Sequence, residues 1–256
     1  MVVPEAILSA AQRLDLDAVK AFDASEAGRE SRGIEDNSTL LVYACNVQMP
    51  EEKPSRERVE MVRYVLARGD VRINDVYRTP RSHPRKRPGT CLYHIMNWLF
   101  DDGAQERACE LEIIALLLDA GADPFFKTPH GSCFDLLIEC SCDDPNCCEK
   151  LVTILRHGAV LNEETTTSAC ETLSADPTSS SRRLLTLIEA VREAGGTWRD
   201  YCLQPHKRVL ALRSLVAAGR AVPEKHWTPP FLVNLLSPSL PNGVIWTVLQ
   251  FWRETG

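Results

Sequence analysis

The sequence predicts an all-α chain of about five to six stacked helix pairs, closed by a divergent helical segment at its C-terminus. Three observations lead there. Apolar residues recur at helical spacing in the long segments, as in Leu111 to Pro124, LEIIALLLDAGADP. A unit of helix, interruption, helix and glycine returns along most of the chain. The second helix of that unit stops at a glycine in turn at Gly69, Gly121, Gly158, Gly195 and Gly219, where a left-handed backbone ends a helix at no Cβ cost.

Residues 8 to 22, LSAAQRLDLDAVKAF, predict a short alanine-faced helix, a tight turn at Leu14 and a second helix from Asp15. The polar SEAGRESRGIEDN then connects to STLLVYACN, which predicts a new helix capped by Ser38 or Thr39. VQMPEEKPS interrupts, and RERVEMVRYVLARGD forms the second helix of that pair, ending at Gly69. A basic, proline-rich connector, VRINDVYRTPRSHPRKRPG, leads to GTCLYHIMNWL, the insertion FDDGAQERA and the helix of Leu111 to Pro124. Ile113, Ile114, Leu116, Leu117 and Leu118 cover most of that helix's circumference, so it is expected between neighbours rather than on a surface.

HGSCFDLLIECS, CDDPN and CEKLVTILRHGA repeat the unit up to Gly158, and TTTSACETLSAD, PTSS and SSRRLLTLIEAVREAGG repeat it more weakly up to Gly195. HKRVLALRSLVAAGRAV has the second-helix pattern, preceded by only a short first helix, RDYCLQ. TPPFLVNLLS and GVIWTVLQFWRE complete the chain. Their apolar residues, among them Phe231, Ile245, Trp246 and Trp252, suit packing onto the stack, with a partner interface as the alternative. The division expected is a repeat region over 1–222 and a helical capping segment over 223–256.

The recurring motifs resemble the ankyrin repeat family. The first-helix motif stands as TLLVYA from Thr39, TCLYHI from Thr90 and SCFDLL from Ser132. The second-helix motif stands as DAVKAF, EMVRYVLARGD, EIIALLLDAGAD, EKLVTILRHGA, TLIEAVREAGG and LALRSLVAAGR. The resemblance covers roughly residues 5 to 222 and is strongest over 37 to 162. It implies a solenoid in which neighbours stack, hairpins project between pairs, and function lies in protein–protein contact. The closing glycines are spaced by 52, 37, 37 and 24 residues, against about 33 in the family. The long first gap holds the basic connector and the FDDGAQERA insertion, and the short last gap marks a degenerate unit. Three interruptions fall between first and second helices, so VQMPEEKPS, FDDGAQERA and CDDPN are expected along one edge.

A net charge of -6 over 256 residues argues against binding nucleic acid through the overall field. No apolar run is long enough to span a membrane, and MVVPEAILSAAQRLDLD turns polar too early for a secretory signal. A cytoplasmic or nuclear location and reduced thiols are expected for the ten cysteines. No phosphate loop or catalytic motif is present and the six histidines are scattered, so a non-enzymatic chain with no cofactor is expected.

Two groups of residues stand out as binding candidates. The connector residues Arg72, Tyr77, Arg78, Arg81, Arg85, Lys86 and Arg87 form a local basic field suited to an acidic or phosphorylated protein segment. Phe125, Phe126 and Lys127 occupy the next hairpin, where adjacent aromatics cannot both face inward, so one is expected exposed as a partner anchor. Cys140, Cys142, Cys147 and Cys148 have the density of a zinc site and would make a metal-stabilised or redox-sensitive module. Their spacing is poor for it, and packing is the reading the spacing favours.

Overall fold

The computed structural model describes residues 3–25, 27–28, 34–45, 55–69, 71–77, 89–96, 103–141, 146–176, 178–220, 234, 236–237, 239–241, 243–245 and 247, with backbone alone for 34–37. These residues are all-α: α1 (Glu5–Gln12), α2 (Leu16–Ala24), α3 (Ile34–Cys45), α4 (Arg56–Ala67), α5 (Cys91–Met96), α6 (Ala104–Asp119), α7 (Cys133–Glu139), α8 (Cys147–Arg156), α9 (Glu163–Ala175), α10 (Ser179–Ala194) and α11 (Trp198–Ala217). Extended backbone among them is confined to isolated bridges. The chain divides into two compact units, Met1–Glu189 and Ala190–Gly256, with the division inside α10.

Local chemistry starts and stops these helices where the sequence places caps and glycines. Asp15 accepts from the Ala18 N–H at 3.0 Å to start α2, and Asn162 accepts from the Thr165 N–H at 2.8 Å to start α9. Ser132 and Asp135 form a reciprocal capping box at α7. Leu14 turns the chain between α1 and α2 at a φ of 63°. Gly121, at a φ of 93°, ends α6 in the left-handed region, and its N–H returns to the Leu118 carbonyl.

In the first unit the helices form two rows. The first helices α1, α3, α5, α7 and α9 each pack on the next, and the second helices α2, α4, α6 and α8 do the same. The rows are joined within pairs, α1 to α2, α3 to α4, α5 to α6 and α7 to α8. Ile113, Ile114 and Leu117 of α6 are fully buried because that helix has α4, α5 and α8 around it. Val59, Met61, Val62 and Val65 of α4, Leu92 and Ile95 of α5, and Leu151 and Ile154 of α8 are equally enclosed. Burying each such side chain contributes about 1.5–3 kcal/mol.

Charged groups cross between neighbouring second helices. Asp23 of α2 receives the Arg68 guanidinium at 2.7 Å and the Tyr64 hydroxyl at 2.6 Å, at the end of α4. Glu112 of α6 takes Arg56 at 2.7 Å and also Arg63, both from α4. Glu110 of α6 meets Lys150 of α8 at 2.7 Å, with both side chains almost wholly buried. Arg58, 1% exposed, spans a pair instead and donates to the Ala44 carbonyl at 2.7 Å.

Two local expectations are corrected. α3 begins at Ile34, ahead of Ser38 and Thr39, so neither residue caps it. The Ser38 hydroxyl is buried and accepts from the Arg72 N–H at 2.7 Å. RDYCLQ and HKRVLALRSLVAAGRAV are not two helices, since α11 runs unbroken through Pro205. Thr197 caps it by accepting from the Asp200 N–H at 3.0 Å, and the helix carries the loss of one internal bond at the proline. In the second unit Ile245 is buried against Val209, Leu210 and Leu240, and the Arg213 guanidinium donates to the Leu240 carbonyl. Phe231, Trp246 and Trp252 lie outside the described residues, as do most of VQMPEEKPS and CDDPN. FDDGAQERA is less of an interruption than its sequence suggests, since α6 already begins at Ala104 within it.

Lys150→Ala removes the cation from the buried Glu110 carboxylate, so it should cost about 3–5 kcal/mol in urea denaturation. Glu110→Leu combined with Lys150→Leu should recover most of that loss. A Lys150→Ala variant as stable as the parent would show that the pair is not enclosed as described.

Candidate interaction surface

Two hairpins follow the second helices α4 and α6, and each is closed by its own backbone. In the first, Tyr77 and Gly89 exchange N–H···O bonds of 3.0 and 3.3 Å. The Tyr77 hydroxyl donates to the Arg72 carbonyl at 2.9 Å. Burial, partly offset by Ser38, pushes the Tyr77 phenol up to about 12. In the second hairpin, Thr128 and Gly131 exchange bonds of 3.0 and 3.2 Å, and Asp123 accepts from the Phe125 N–H at 2.8 Å.

Asn74 ties one hairpin to the next. Its side-chain amide donates to the Gly121 carbonyl at 3.1 Å and its carbonyl accepts from the Asp123 N–H at 2.8 Å. Sequence reasoning missed this residue. Its only local signal is an asparagine five residues past a closing glycine, which announces no partner 47 residues away.

The hairpins present Arg72 and Lys127, with side chains 55% and 71% exposed, and Val76 at 37%. Phe125 and Phe126 are both half-buried, which corrects the expectation that one is exposed. The Phe125 ring lies 5.5 Å from that of Phe134, because the turn at Asp123 folds it back onto α7. Arg78, Arg81, Arg85, Lys86 and Arg87 lie outside the described residues.

Lys127 reaches Asp135 at 2.6 Å, and the Ser132 N–H and hydroxyl also donate to that carboxylate at 2.7 and 2.8 Å. Burial alone would raise the Asp135 pKa, but these three donors outweigh it and hold the carboxyl below its ordinary value.

Beside the hairpins, the first helices α1, α3, α5, α7 and α9 contain eight Asp and Glu and no Lys or Arg. Tyr43 of α3 stands near Glu5 of α1, and burial and then that carboxylate raise its phenol.

Among the described cysteines, Cys45, Cys91, Cys109, Cys133 and Cys147 are buried. Cys147 is buried with its thiol toward the Leu137 carbonyl at 3.6 Å, while Cys140 and Cys148 are half-buried. Cys142 lies outside the described residues, among which no group of three His, Cys, Asp or Glu side chains is placed to hold a metal ion. Burial raises the Cys133 thiol to about 12, and a hydrogen bond with Cys45, then burial, raise Cys91 well above the ordinary range. Such thiols are poor nucleophiles at neutral pH.

Among the described residues no helix is long and apolar enough to cross a membrane. No family model, curated protein or solved structure matches the chain.

Asn74→Ala removes both bonds between the hairpins, so amide exchange at residues 121–123 should accelerate and stability should fall by about 1–2 kcal/mol. Unchanged protection there would contradict the link. Acid sensitivity follows from Asp135. Its folded pKa is depressed, so its stabilisation is complete above about pH 4, the unfolded value, and is lost as pH falls through the folded value. The melting temperature of Asp135→Asn should be lower than the parent's at pH 7 and should converge on it by about pH 2.

Proposed function

We propose that the first unit is an ankyrin-like helical solenoid and that the chain is a non-enzymatic scaffold or adaptor, binding another protein through its hairpin tips and the concave face of its first helices. The observation that carries this reading is the repeated hairpin, closed in the same manner twice and joined to its neighbour through Asn74. The neighbour-only packing of first helices on first helices and second on second supports it, since ankyrin-like pairs stack in that way. Rigid scaffolding with polar and apolar groups held on loops is the common arrangement for recognition.

Charge divides the surface between two kinds of contact. The hairpins offer Arg72 and Lys127, and the connector carries Arg78, Arg81, Arg85, Lys86 and Arg87 in sequence with Arg72 and Tyr77. The first helices offer carboxylates alone. An acidic or phosphorylated partner segment therefore fits the hairpin edge and is repelled from the helix face. Phe126 and Val76 supply apolar contact beside the cations.

Affinity purification from native cells, comparing the parent with an Arg72→Glu, Arg81→Glu, Arg85→Glu, Arg87→Glu variant, tests this surface. Partners held by it should drop by about tenfold or more while the melting temperature stays within a few degrees. Full recovery of every partner by the folded variant would remove the hairpin edge from the binding surface.

A further inference from the structure

Two junctions between neighbouring second helices are built alike, and one of them holds a group that can change its charge. At the first, Arg68, the residue before the closing Gly69, reaches Asp23 in the last turn of α2 at 2.7 Å. At the other, His157, the residue before the closing Gly158, reaches Asp119 in the last turn of α6 at 3.5 Å. Ala120 stands in the corresponding place before Gly121. Arginine keeps its charge at any pH a folded chain meets, whereas histidine side chains take up and lose a proton between about pH 5 and 8.

The contacts of His157 fix what a second ring proton would do. Nδ1 lies 2.7 Å from the Thr153 carbonyl, one turn back on α8, and a carbonyl can only accept, so Nδ1 carries a proton. A neutral ring has no other. Its Nε2 then turns a bare lone pair toward the Asp119 carboxylate, and the 3.5 Å between these two acceptors exceeds the about 2.7–2.9 Å of a closed charge-assisted bond. The imidazolium satisfies both contacts, donating from Nδ1 to Thr153 and from Nε2 to Asp119. It also places positive charge at the end of α8, where the helix dipole favours it.

Asp119 is the one carboxylate among the described residues within 4 Å of this ring. The other charged groups on the helices packed against α8 lie elsewhere. Glu106, Arg107, Glu110 and Glu112 of α6 precede Asp119 by seven residues or more, about 10 Å along the axis. On α7, Asp135 is held by Lys127 and Ser132, and Glu139 closes the helix on the side from which the chain enters α8. Arg183 of α10 stands by Cys148, at the far end of α8 from His157. Arg156, beside His157, is exposed.

We propose that His157 is a proton-dependent clasp between α6 and α8. Protonation ties the end of one second helix to the end of the next, as Arg68 and Asp23 tie α2 to α4 without a change of charge. Carboxylates ordinarily stay ionised through the histidine range, so the clasp is closed below that range and opens as pH rises through it. α6 runs on from Asp119 through Gly121 into the hairpin of Phe125 and Lys127, so the clasp acts at the base of that hairpin, whether or not the hairpin binds a partner. With side chains 23% and 71% exposed, the pair is screened by solvent and its effect is that of a surface ion pair.

Amide exchange of the full chain at low ionic strength, corrected for the intrinsic effect of pH, tests the clasp at residues 120–122 and 157–159, whose N–H groups bond back into the last turns of α6 and α8. Protection there should rise about two- to fivefold from about pH 8 to about pH 5.5, and the rise should shrink in about 1 M salt. Asp119→Asn should abolish the rise. His157→Arg should show the higher protection at both pH values, a gain that a merely structural role does not give. Protection in the parent that ignores pH, a rise that survives Asp119→Asn, or one that persists in His157→Arg would overturn the proposal.

Discussion

A short helix pair cannot bury both of its apolar faces, and this constraint shapes the whole first unit. α6 shows it most plainly, since Ile113, Ile114 and Leu117 lose all contact with water only because α4, α5 and α8 surround them. Of those helices, α4 is in turn packed on α2, and α5 on α3 and α7. Stability in such an arrangement is a sum of pair and neighbour terms, and a pair with one neighbour holds less of it than a pair with two.

Burial of apolar surface alone is non-directional and does not fix how far one pair slides on the next. The polar contacts between second helices supply that register. Asp23 with Arg68 and Tyr64, Glu112 with Arg56 and Arg63, and Glu110 with Lys150 each join one second helix to its neighbour. Asn74 does the same for the hairpins. This use of cations has a consequence at the surface. Arg56, Arg63, Arg107 and Lys150 of the second helices pair with carboxylates of neighbouring second helices, while the first helices carry carboxylates and no Lys or Arg and the hairpins hold exposed cations of their own. A structural requirement thereby leaves the first helices and the hairpins with charges of opposite sign.

Period and punctuation made the helices legible. The glycines at 69, 121, 158, 195 and 219 all adopt positive φ, and the turn at Leu14 and caps at Asp15 and Ser132 stand where their residue types predict. Ser38 misled because a serine before an apolar run has the signature of a cap, whereas here its hydroxyl serves a hairpin 34 residues on. Pro205 misled in the opposite sense, since the helix continues through it. What local pattern cannot convey is pairing at a distance. Nothing beside Glu110 announces Lys150, and nothing beside Asn74 announces Gly121.

Amide hydrogen exchange on the intact chain tests the neighbour-dependent packing most directly. Helices 56–67 and 104–119, each with a neighbour on either side in its row and a partner across it, should open with the largest free energies in the first unit. Helices 5–12 and 16–24, which among the described helices have a neighbouring pair on one side, should open at distinctly lower cost. Equal protection of the first pair and the central helices, or a first pair that outlasts them, would contradict a stack held together by nearest neighbours.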